Sequence, residues 1–126
     1  ISFDQLIHES DIISFHCKPL KNNKPMITIT ELKLMKKNAV ILNTARGGLV
    51  DESDLKVALE DGIIRGAALD VFSQEPAKVN PLFGVKNIIL TPHIAASTIE
   101  AQLVVAEQIA QQISDYFNSG KIVNSI

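Results

Sequence analysis

The chain has 126 residues, 46% of them hydrophobic and 21% charged, with a formal net charge of −2. That is one domain's worth of ordinary globular composition, with no run of like charge to mark a nucleic-acid groove or an acidic membrane surface as partner. Its single cysteine, Cys17, closes no internal disulfide and suits a reducing, cytoplasmic setting, and no apolar run reaches the roughly 18 residues that span a bilayer. The opening Ile1-Ser2-Phe3-Asp4 lacks the basic-then-apolar order of a secretory signal and has no initiator methionine, so a piece of a longer protein is expected.

Ser2 and Gln5 have the spacing of a capping box, and Phe3, Leu6 and Ile7 follow on one face of a short helix. The apolar run from Asp11 to Cys17, bounded by Lys18-Pro19, predicts a buried strand. Residues 18–25 are polar, carry two prolines and predict a loop. Thr28 and Glu31 form a second capping box, with Ile29, Leu32 and Met35 on one helical face and Lys36-Lys37 placed to favour its C-terminus. Ala39 to Thr44 predicts the next strand. Asp51 is a good N-cap for a helix that buries Leu55, Ala58 and Leu59 and closes at Gly62. Ala67 to Phe72 and Asn87 to Thr91 predict two more strands. Ser97 and Glu100 are placed to cap a long last helix, with a stripe of Ile99, Leu103, Ala106, Ala110, Ile113 and Phe117 and a stop at Gly120. Short apolar strands alternating with helices predict an α/β fold, a parallel sheet with helices on both faces.

In such sheets ligands sit beyond the C-terminal ends of the strands. His16, Arg46, Glu75 and His93 each fall at or just after a strand's end. Gly47 and Gly48 beside Arg46 allow a tight bend, and the guanidinium is a planar fork for a carboxylate or phosphate. The same residues also suit a tight turn whose arginine pairs with a surface acid. Asp70 sits in an apolar run, where a carboxylate must find a partner; it either meets a ligand or caps a turn. Alone, Glu75 reads as a solvated acid and His93 as a structural histidine. Together, an acid that orients an imidazole makes a proton donor near neutral pH. His8 reads as a solvated side chain. A metal site at His16, Cys17 and His93 lacks ligand spacing, a hydrolase lacks a G-x-S-x-G elbow, and no G-x-G-x-x-G is present.

Three segments then resemble one family. Asn43-Thr44-Ala45-Arg46-Gly47-Gly48-Leu49-Val50-Asp51-Glu52, Gly66 to Phe72 with Glu75-Pro76, and Thr91-Pro92-His93-Ile94-Ala95-Ala96-Ser97-Thr98 are similar to the D-isomer-specific 2-hydroxyacid dehydrogenases. Within that family the resemblance leans toward the phosphoglycerate dehydrogenases, partly through Val105 to Ala110 and Gly120 to Asn124. It implies a partial Rossmann-like, doubly wound parallel sheet of about four strands. The whole of 1–126 would be the second half of the nucleotide-binding domain, without the glycine-rich loop half or the substrate domain.

The resemblance also implies roles. Arg46 would hold the substrate carboxylate and polarise the C2 oxygen. His93 would exchange the proton, and Glu75 would hydrogen-bond it and keep it protonated for keto-acid reduction. NAD would be lined by Cys17, Thr44, Ala45, Arg46, Asp70, His93, Ala95 and Ala96, with no metal. The substrate would be a D-2-hydroxy acid, with 3-phosphoglycerate favoured over glyoxylate, hydroxypyruvate or D-lactate; a non-catalytic dinucleotide-binding module is the other class. The full-length protein would be a cytoplasmic homodimer, and the fragment alone inactive. Two departures stand out: His16-Cys17-Lys18-Pro19-Leu20-Lys21 carries one residue more than the family's usual loop and no threonine, and Ala95 replaces a frequent glycine.

Overall fold

The computed structural model describes residues 1–22 and 24–124, so Asn23 of the predicted 18–25 loop lies outside the described residues. It divides into a unit of Ile1–His93 and a unit of Ile94–Ile126, each described here by itself. The first holds α1 (Phe3–Glu9), β1 (Ile12–Phe15), α2 (Ile29–Leu34), β2 (Val40–Asn43), α3 (Glu52–Glu60), β3 (Gly66–Leu69) and β4 (Ile88–Leu90). The second holds α4 (Ile99–Ser119).

The helix starts follow their caps. Thr28 and Glu31 make the full reciprocal box, and Asp51 accepts from the amides of Ser53 and Asp54. At α1 only half the expected box forms: Ser2 accepts from the Gln5 amide, while the Gln5 side chain turns to Glu9 one turn on. At α4 the cap is Thr98, which accepts from the Ala101 amide, and not Ser97, whose own amide is held by the Ile94 carbonyl. Lys36 lies past the end of α2 and pairs with Asp11 at 2.9 Å.

The four strands form one parallel sheet in chain order, β1-β2-β3-β4. Right-handed crossovers that always step the same way place their helices on one face. Accordingly Ile13, Phe15, Ile41, Ala67 and Leu69 are buried with Ile7, Leu32, Leu55 and Ala58 from the three helices. Each buried Ile, Leu or Phe among them contributes on the order of 1.5–3 kcal/mol, and each alanine less. The alternate strand residues are open instead: Ile12 and Ile89 are 63% and 68% exposed, and Val40, Leu42 and Ala68 are half-buried. The sheet is parallel and flanked by helices, as predicted, and within this unit α1, α2 and α3 cover one of its faces. In the second unit the α4 stripe is exposed along its length, with no residue of the helix buried.

Candidate functional site

Each strand ends short of the C-terminal bound predicted for it, and at the end of β2 the side chain turns to the backbone. Asn43 ends β2 and is 1% exposed. Its Nδ2 donates to the Arg46 carbonyl at 3.0 Å and its Oδ1 accepts from the Ala45 amide at 3.2 Å. This closes the turn that carries Arg46, whose exposed guanidinium donates to the Ala45 carbonyl at 2.6 Å. The next residue has to be glycine: a Cβ on Gly47 would fall 1.8 Å from the Phe72 carbonyl oxygen. The turn after β2 therefore lies directly on the backbone after β3.

Asp70 follows β3, outside the strand, and is buried. Its amide donates to the Asn43 carbonyl at 2.9 Å, and its Oδ1 accepts from the Thr91 hydroxyl at 2.5 Å. Thr91 in turn donates its amide to the Leu69 carbonyl at 3.0 Å. The ends of β2, β3 and β4 are thus tied in series.

Glu75 stands in the loop beyond β3. Its Oε1 accepts from the Phe72 amide at 2.9 Å and its Oε2 accepts from the His93 Nδ1–H at 2.6 Å. Those two bonds, the one from His93 first, hold the Glu75 carboxyl below the usual glutamate value, against partial desolvation and the repulsion of Asp70. His93 reaches it from the left-handed backbone region, φ 55°. A non-glycine residue there costs on the order of 1 kcal/mol, and such strain gathers where a side chain must be aimed.

A cleft of about 780 Å³ opens at this edge, lined by His16 to Pro19 after β1, Thr44 to Gly47 after β2, Phe72, Ser73 and Glu75 after β3, and His93 after β4. Its fixed charges are mainly cationic: Lys18 and Arg46 face a single carboxylate that is itself bonded to His93. Such a mouth favours an anion. His16 bonds the Ser14 hydroxyl through Nε2 at 2.9 Å, and the Cys17 thiol lies 3.8 Å from the Met26 sulfur.

The structure therefore gathers Cys17, Thr44, Ala45, Arg46, Glu75 and His93 in one cleft. Asp70 stands beside it, in a smaller pocket of about 290 Å³ on the open sheet face with Thr44, Ala68 and Thr91. Ala95 and Ala96 belong to the second unit. The sequence reading passed over the turn-closing role of Asn43, the Thr91 bond to Asp70 and the contacts of Glu52 described below. An asparagine at a strand end before a glycine pair is an Asx-turn signal that points to the first; nothing local signals the other two. Among the described residues no three metal-ligating side chains cluster, and no helix is long and apolar enough to cross a membrane.

Compared with models of known families, residues 1–95 match the NAD-binding domain of the D-isomer specific 2-hydroxyacid dehydrogenases. The chain belongs to that family. Every cleft residue of this dehydrogenase domain lies inside the matched segment. The domain is 46% identical over 113 residues to a glyoxylate reductase of Thermococcus litoralis, covering 90% of this chain and 34% of the relative. It is 47% identical over 110 residues to a D-3-phosphoglycerate dehydrogenase of Methanocaldococcus jannaschii, covering 87% and 21%. Among solved structures it superposes at a TM-score of 0.78 on an acyclic imino acid reductase bound to NADPH and D-Arg, with 36% identity, all of this chain and 40% of that one. A D-isomer-specific 2-hydroxyacid dehydrogenase of Lactobacillus delbrueckii in its NAD complex gives 0.71 at 32% identity, covering 88% and 40%. The dehydrogenase domain spans about a fifth to a third of the length of these curated relatives.

Proposed function

We propose that this chain supplies the nicotinamide-facing half of the cofactor domain of an NAD-dependent D-2-hydroxyacid dehydrogenase. The observation that carries the reading is the 2.6 Å bond between Glu75 and His93 in the same cleft as Arg46. Glu75 accepts the hydrogen bond from Nδ1–H, which fixes the tautomer and leaves Nε2 as the nitrogen that exchanges a proton with the substrate C2 oxygen. Arg46 holds the substrate carboxylate and, as a permanent cation, stabilises negative charge developing on that oxygen. The bound nicotinamide supplies the hydride acceptor or donor, and the protein supplies position and field. The residues present suit that group: the cleft volume lies within the range of small-ligand sites, and Thr44 and Asp70 place a hydroxyl and a carboxylate beside it. Within the first unit, Cys17 and Ala45 complete the lining in this reading.

For substrate we favour 3-phosphoglycerate, which would place the full-length protein at the start of serine synthesis, in the cytoplasm and as a homodimer. A glyoxylate or hydroxypyruvate reductase is the second reading, favoured by the relative of that name at 46% identity. The deciding experiment uses the full-length protein that carries this sequence, assayed with NAD and 3-phosphoglycerate and with NADH and glyoxylate or hydroxypyruvate. We expect 3-phosphoglycerate-dependent NAD reduction that falls about 10²–10⁴-fold in His93→Gln. Faster turnover of glyoxylate moves the assignment to the reductases. Turnover unchanged in His93→Gln, or turnover by the 126-residue chain alone, overturns the reading.

A further inference from the structure

The loop between β3 and β4 carries Glu75, and the cleft residues hold it from one side only. On its other side stands Glu52, the first residue of α3, which lies outside the cleft. Its Oε1 accepts from the Ser73 amide at 2.6 Å, and its Oε2 accepts from the Ser73 hydroxyl at 2.9 Å and from Asn80 Nδ2 at 2.8 Å. Asn80 is 9% exposed, and its Oδ1 accepts from the amide of Leu82, which is wholly buried. One carboxylate thus joins the helix to both ends of the loop segment that contains Glu75. The adjoining amide, that of Phe72, goes to Glu75 itself. Two successive amides are therefore divided between two carboxylates, and Gly47 presses on the Phe72 carbonyl from beneath.

This arrangement has a physical purpose in view. A glutamate side chain has three rotatable bonds, and a bond of 2.6 Å to His93 survives only small displacements of its backbone. We propose that Glu52 is a positioning residue: it pins Ser73 and Asn80 so that Glu75 meets the Phe72 amide and His93 Nδ1 at once. The proposal rests on the reading of Glu75 and His93 as the proton-transfer pair. The other charged groups around the pair are Arg46, Lys18 and His16 across the cleft, with Asp70 behind it.

The test follows the Glu75 carboxyl carbon by NMR as the 126-residue chain is titrated with acid, the resonance being assigned with Glu75→Gln. In the unsubstituted chain the midpoint lies below the ordinary glutamate range, for the two bonds given above. In Glu52→Ala the midpoint moves up toward that range, because the loop no longer holds both bonds. Glu52→Gln keeps the shape and one accepting oxygen, so it gives a smaller rise and remains informative if the alanine variant does not fold. Asp51→Ala weakens the cap of the same helix without touching the loop; it lowers Tm and leaves the Glu75 midpoint in place. His93→Gln separates the two claims. A midpoint that rises in His93→Gln but stays put in both Glu52 variants overturns the positioning role and leaves the pair standing. A midpoint unmoved even by His93→Gln overturns the pair itself.

Discussion

Glu75 accepts two hydrogen bonds, from a ring and from an amide, and both favour its ionised form. Its folded value is lowered from the ordinary 4.5, so the unfolded chain takes up a proton at higher pH than the folded one. The stability this group contributes is therefore complete above the ordinary glutamate value and is lost as pH falls through the lowered folded value. The carboxylate is about one-third exposed, so the contribution is modest and weakened by salt. Urea unfolding across that acid range should show a steeper loss of stability in the unsubstituted chain than in Glu75→Gln; parallel curves would refute it. The sequence named Glu75 and His93 through the family motifs. The family resemblance also implied their bond; residue spacing alone does not, since the bond joins positions 18 apart across the ends of two strands. Nor did it supply the partner of Asp70: Thr91 is 21 residues away, and only the sheet register brings it near.

Helices and turns were legible where one residue type has one local use. Thr28, Asp51 and Gly120 stand at the helix ends where they were predicted, because a hydroxyl, a carboxylate and a left-handed glycine each satisfy orphan backbone groups within a few residues. Ser97 is the cap expected from its spacing to Glu100, but Thr98 takes that place, since both carry a hydroxyl at workable spacing. The predicted β3 is longer than the observed strand because Val71 and Phe72 continue the apolar run past Leu69, where the strand ends. The glycine pair shows the same limit. Gly48 sits at φ 79° with open space around its would-be Cβ, a dihedral constraint that a glycine-rich turn predicts. Gly47 is constrained by another loop, 25 residues on in the chain, and no local pattern reveals that. Gly47→Ala should cost about 3 kcal/mol or more, since a backbone carbonyl must move. Gly48→Ala should cost about 1–2 kcal/mol. Chemical denaturation of the two variants checks the order, and equal costs would contradict the close contact.

The whole of the α/β alternation could be read in the sequence, and so could the placement of the reactive side chains at one sheet edge. What could not be read was which face of the sheet α1, α2 and α3 cover. That depends on strand order, and chain-order pairing with one crossover hand leaves Ile12, Val40, Leu42, Ala68 and Ile89 on a face the three helices of the first unit do not cover. This has a calorimetric signature. The heat capacity of unfolding comes from apolar surface that gains water, commonly about 12–15 cal/mol/K per residue. Strand residues already hydrated in the folded state, and an α4 stripe in the same condition, add nothing to it. Differential scanning calorimetry of the chain should therefore return a value per residue below that range. The melting dome would be flatter than usual, with stability changing less between cold and warm.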